Sequence, residues 1–121
     1  MIQVDKKADN LKDGITNMML GAKNDYIRMS TSGGKELTGY SKEQVDNWDS
    51  KTKIKEGKKY IKVINQNAVK CFIVNTTEDK VFDYGDILKP AGWNAPARNY
   101  KRGNVLEGNY LMQWTGPMYM S

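Results

Sequence analysis

The 121-residue sequence contains no histidine, one cysteine (Cys71) and three prolines. Without histidine the chain cannot build an imidazole general base, a Ser-His-Asp or Cys-His nucleophile system, or a His-liganded zinc site. One cysteine allows no intramolecular disulfide and no cysteine-rich zinc site, and a cytosolic setting is the simple expectation. The longest apolar run falls far short of the ~20 residues that span a bilayer, so no membrane partner is expected. The opening residues, MIQVDKKADN, show no apolar segment of signal-peptide type. Carboxylates, lysines, tyrosines or a hard-cation site would have to carry any catalysis. The acids Asp79, Asp83 and Asp86 are the one cluster that invites a Mg²⁺ reading, but they stand at turn positions where backbone needs explain Asp. The expectation is therefore no enzyme, no catalytic residue, no metal and no cofactor.

What the chain does have is clustered positive charge. Its net charge is +5, yet residues 51–62 (KTKIKEGKKYIK) alone carry +5 and residues 98–102 (RNYKR) carry +3, leaving −3 on the rest. Such clustering attracts polyanions. Lysines alternating with apolar residues are also what a half-exposed strand shows to water.

At 13.8 kDa the chain reads as a single domain over 1–121, with enough length for one core. Val4, Ala8, Leu11, Ile15, Met18 and Ala22 recur at helical spacing, with Gly21 or Asn24 as candidate stops and Gly14 as a costly interior residue. Residues 26–31 (YIRMST) alternate as a strand would. In YSKEQVDNW, Ser41 and Gln44 have capping-box spacing and Tyr40 and Val45 staple spacing. They predict a second helix over 42–51, with Trp48 anchored in the core. Residues 59–65 and 68–75 form two β-rich runs separated by Gln66-Asn67, which is hairpin spacing. Cys71 falls inside the second run and should be a buried small apolar residue. Residues 80–82 open a third strand, Tyr84-Gly85-Asp86 breaks it, Ile87 and Leu88 resume extended structure before Pro90, and residues 110–115 make the last strand. The expected class is α+β: one or two N-terminal helices followed by a four- to five-stranded antiparallel sheet, able to curl into a small partly open barrel.

The stretch DYGDILKPAGWNAPARNYKRGN, residues 83–104, reads as an ordered Ω-type excursion, with Pro90 and Pro96 limiting its freedom and Trp93 packed back against the sheet. It would present Arg98, Tyr100, Lys101 and Arg102. Three readings of these cations stay open: pairing with Asp83, Asp86 or Glu107, contact with nucleic acid, or contact with an acidic protein surface. Cations meet phosphates and a tyrosine ring can meet a base. Neither G-x-x-x-x-G-K-S/T nor G-x-G-x-x-G occurs, so the glycines make no phosphate loop. The candidate ligand-binding set is Lys58, Lys59, Trp93, Arg98, Tyr100, Lys101 and Arg102, with Tyr60 nearby. The tail GPMYMS could supply a further protein contact.

Five elements together resemble a group of small proteins of unassigned function encoded by tailed bacteriophages: Gly57 to Lys62, Gly85 to Ala91, Trp93 to Ala97, Arg102 to Asn104, and Trp114 to Gly116. The resemblance covers about residues 54–117. It implies an origin, a phage accessory protein acting in the cytoplasm of an infected bacterium, and transfers no catalytic residue. The function expected is a non-enzymatic binding module contacting nucleic acid through the basic loop and hairpin. The alternative is a protein-binding modulator or inhibitor of a host bacterial protein; a virion component is a further option.

Overall fold

The structure is a computed structural model that describes residues 2–117. Its first element is a strand, β1 (Ile2–Val4), paired antiparallel with β7 (Tyr110–Gln113). Val4 therefore leaves the helical stripe in which its spacing placed it, although its side chain is buried. Helix α1 (Leu11–Ser30) begins where Asn10, in extended conformation, accepts the Asp13 N–H at 2.8 Å. It runs through both expected stops and through residues 26–30 of the expected strand at 26–31.

Distant partners explain this. A side chain at Gly21 would stand 2.7 Å from Val4 Cγ2, so that glycine marks a close approach of β1 to the helix and not a helix end. Tyr26 is buried with its ring 5.9 Å from that of Trp48 and 5.3 Å from that of Trp114, and Asp25 accepts the Trp114 N–H at 3.0 Å. Thr31 closes the helix, its N–H and hydroxyl both donating to the Ile27 carbonyl.

Helix α2 (Gly39–Asp46) starts earlier than expected and is shorter. The predicted capping box does not form, since the Ser41 hydroxyl donates to the Thr38 carbonyl instead. Tyr40 is 74% exposed and staples nothing. Trp48, in the turn that follows, is buried as expected.

Strands β2 (Thr52–Glu56), β3 (Tyr60–Asn65), β4 (Ala68–Val74), β5 (Asp86–Pro90) and β6 (Pro96–Asn104) form one antiparallel sheet in chain order. A second, three-stranded sheet has the order β1–β7–β8, β8 being Gly116–Pro117. The larger sheet stays open, with β2 and β6 at its edges, and does not close into a barrel. The α+β class stands. The β3–β4 turn holds Gln66 and Asn67 at φ 55° and 62°, the left-handed pair that a two-residue hairpin requires.

Two other expectations give way. Residues 80–82 form no strand, because Asp79 Oδ1 accepts the N–H groups of Val81 and Phe82 at 2.9 and 3.0 Å and turns the chain. Residues 83–104 form no Ω loop either. They supply the β5–β6 hairpin, whose tip closes through the Ala91 and Gly92 N–H groups on the Ala95 carbonyl. The β6 sequence carries little apolar alternation; pairing with β5 makes it a strand.

One face of the larger sheet packs on α1: Ile61, Val63, Cys71, Ile73 and Ile87 meet Leu11, Ile15, Met18, Met19 and Ala22 in one core. The other face, called the outer face below, carries a smaller cluster of Phe72, Val74, Phe82 and Leu88.

Candidate binding surface

The lysine-rich window is sorted by the strand pleat. In the β2–β3 ladder Lys53 faces Ile64, Ile54 faces Val63, Lys55 faces Lys62 and Glu56 faces Ile61. Paired residues share a face, and faces alternate along a strand. Ile61 and Val63 belong to the core beneath α1. Ile54 and the window's one acid, Glu56, therefore point to the helix side, while Lys53, Lys55 and Lys62 stand on the outer face. Lys58 and Lys59 occupy the β2–β3 turn and are exposed. That turn is held by the Gly57 N–H on the Tyr60 carbonyl at 2.9 Å and by the Asn75 N–H on the Lys59 carbonyl at 2.7 Å.

The β5–β6 tip bends over the same face. Trp93 lies with its ring centroid 5.1 Å from Lys62 Nζ, which also stands 5.9 Å from the Phe72 ring and donates to Asn94 Oδ1 at 3.5 Å. Trp93 is not the buried anchor that the sequence suggests, for it is half exposed. A tip residue thus reaches a strand separated from β5 by β4, which shows how strongly the ribbon curls.

Arg98 is committed elsewhere. Its Nη1 and Nη2 donate to the two oxygens of Asp79 at 3.0 Å each, a bidentate pair, and Nη1 also donates to the Tyr60 hydroxyl. The guanidinium carbon lies 5.0 Å from the Phe82 ring centroid. The Arg98 guanidinium, together with the N–H groups of Phe82 and Val81, holds the Asp79 carboxyl well below the usual carboxylate range. Arg98 in turn is made still harder to deprotonate, chiefly by Asp79. This residue ties β6 to β3 and to the loop after β4.

Lys101 Nζ stands 3.9 Å from Asp86 Oδ1. Asp86 is buried and also accepts the Asp83 N–H at 2.8 Å and the Asn104 side-chain amide at 3.0 Å. Arg102 is buried at 2% exposure, whereas Tyr100 is exposed. The candidate set is thus divided. Lys58, Lys59 and Trp93 lie on or beside the outer face, Arg98 and Lys101 face carboxylates, and Arg102 is interior. Residues 118–121 of the GPMYMS tail lie outside the described residues.

Sequence reasoning missed Lys53, Lys55 and Lys62 as a group. The signal was the alternation in KTKIKEGKKYIK, and the pairing register turns it into one row of cations. Among the described residues no three His, Cys, Asp or Glu side chains gather as metal ligands. Asp79 and Asp86 are held by partners already named. Among the described residues no helix is long and apolar enough to cross a membrane.

Residues 3–120 match the model of a family of unknown function, DUF7717, and the chain belongs to that family. No curated protein and no solved structure matches it.

Proposed function

We propose that this DUF7717 chain is a non-enzymatic binding module that takes single-stranded nucleic acid on the outer face of its larger sheet. The observation that carries this reading is the register of β2 on β3, which sets Lys53, Lys55 and Lys62 on one face and turns Glu56 away. With Lys58 and Lys59 at the adjoining turn, five ammonium groups serve one strip of surface. Arg98 with Asp79 and Lys101 with Asp86 add no net charge to it. Trp93, half exposed, supplies a ring for base stacking, which is tolerant of sequence because every base has a π-face. A largely exposed lysine row beside an aromatic ring suits a flexible strand whose phosphates can follow the curl of the sheet.

The resemblance of residues 54–117 to small proteins of tailed bacteriophages supports a setting in the cytoplasm of an infected bacterium, with the chain as an accessory protein. Fluorescence anisotropy of a labelled single-stranded oligonucleotide across a salt series tests the reading. Each phosphate neutralised on a single strand contributes about 0.7 to the slope of log K against log salt. Engagement of three to five lysines gives a slope of about −2 to −3.5. No binding at low salt, or a flat response, removes the proposal. The second reading, a modulator docked on a host bacterial protein, is favoured by a different surface, on the helix side of β2.

A further inference from the structure

On the helix side, α1 and β2 enclose a groove of about 720 Å³. Leu11, Ile15, Met19 and Ile61 line its floor, and Leu20 and Ile54 stand at its mouth, 54% and 46% exposed. β2 borders this groove as the edge strand of the five-stranded sheet, and among the described residues no strand pairs with its outer side. Four of its five residues are exposed. An edge strand leaves every second N–H and C=O pointing outward, ready to pair with another extended chain.

From this we infer that the β2 edge and its groove form a strand-addition site for an extended segment of a partner protein in which apolar residues alternate with Asp or Glu. The inference shares Lys53 and Lys55 with the nucleic-acid face but rests on the β2 edge and the groove, and it stands without that reading. Charge and register select the occupant. A strand added beside β2 places alternate side chains on the two faces of the sheet. Those on the helix side lie next to Thr52, Ile54 and Glu56, and the ones beside Ile54 must be apolar to fill the groove. Those on the outer side lie beside Lys53 and Lys55, and directly opposed charges of unlike sign attract.

Lysines on an edge strand ordinarily guard it against pairing. Here the guard acts against cationic strands and against the chain itself. Two copies of β2 joined antiparallel about Ile54 set Lys53 against Lys55 twice, which is repulsive. Against an acidic strand the same two side chains become the selective contact.

Two short synthetic peptides test this, one of alternating valine and glutamate and one of alternating valine and lysine. Hydrogen exchange followed at single residues reads whether the site is the one inferred. The glutamate peptide is expected to protect the outward-pointing amides of β2, Ile54 and Glu56, by at least about tenfold, and the lysine peptide is not. Ile54→Asp is expected to weaken the glutamate peptide by about tenfold or more while oligonucleotide binding on the outer face persists. The double variant Lys53→Glu, Lys55→Glu is expected to exchange the preference, binding the lysine peptide instead. Because that variant alters only exposed side chains, a gain of binding cannot come from unfolding. The inference is overturned if neither peptide protects β2, if both protect it equally, or if the β2 amides are already protected by self-association without peptide.

Discussion

Replacing Gly14 by alanine sets two physical effects against each other, and the structure decides the sign. In an isolated helix the change stabilises by about 1 kcal/mol, because glycine is the costlier residue in a helix interior. In this fold a Cβ at position 14 would stand 2.6 Å from the Val105 carbonyl oxygen, 2.8 Å from Val105 Cβ and 3.0 Å from its carbonyl carbon. Carbon atoms rest at about 3.5–4.0 Å, so a gap of roughly 1 Å must open. Two of the three obstructing atoms are backbone and cannot rotate aside. The helix must therefore lift from the segment after β6, loosening Ile15 and Met18 in the core beneath it.

Overpacking of this kind costs about 1–3 kcal/mol, and backbone obstruction puts Gly14 at the upper end. Subtracting the propensity gain leaves a net loss of about 2 kcal/mol. For a domain of this size that lowers Tm by about 8 °C. Thermal and urea unfolding measure it, with Gly92→Ala as control, since a Cβ there meets nothing within 4 Å. A Gly14→Ala variant as stable as the parent, or more so, refutes the close approach of α1 to Val105.

Three other contacts of the fold have measurable consequences. Asn67→Gly should stabilise by about 0.5 kcal/mol in urea unfolding, because glycine adopts the left-handed turn conformation without steric cost while Gln66 keeps its bond to Gln44; destabilisation would mean that the turn is not as described. The Asp79 carboxyl titrates lower in the folded than in the unfolded chain, so its contribution is complete above the ordinary value of 3.8 and fades as pH falls below it toward the folded value. Stability of Asp79→Asn measured between about pH 5 and pH 2 should then fall less steeply than that of the parent, and parallel curves would contradict the Arg98 pairing. Burial pushes the Cys71 thiol up and removes it from water, so a thiol reagent should modify it only at the rate of global opening, and prompt labelling of the native protein would contradict its place in the core.

The β3–β4 hairpin was legible because its signals are local: β-branched runs, a two-residue turn and Cys71 inside the apolar stretch. Trp48 was legible for a similar reason, as the large apolar residue closing a short amphipathic run. The rest depends on partners far along the chain. Val4 is a strand residue because it pairs with Tyr110. Residues 26–30 stay helical because Tyr26 and Asp25 meet Trp48 and Trp114. The spacing of Ser41 and Gln44 matched a capping box, yet the chain entered the helix three residues earlier, at Gly39.

The candidate surface shows the same division. The charge in residues 51–62 could be counted in the sequence, but which lysines share a face needed the ladder that sets Lys55 opposite Lys62. For the cations of residues 98–102, pairing with Asp83, Asp86 or Glu107 was one open reading; Lys101 does face Asp86, while Arg98 pairs with Asp79, 19 residues away and not among those acids.

Two triple variants that remove the same charge from different places test the central claim. In the first, Lys53, Lys55 and Lys62 become glutamine; in the second, Lys12, Lys23 and Lys42 on the helices do. Oligonucleotide affinity across a salt series should collapse in the first, with the slope flatter by about 2, and should keep the parent slope in the second. Equal losses in both would mean that net charge alone attracts the strand, and that the outer face of the sheet is no binding surface.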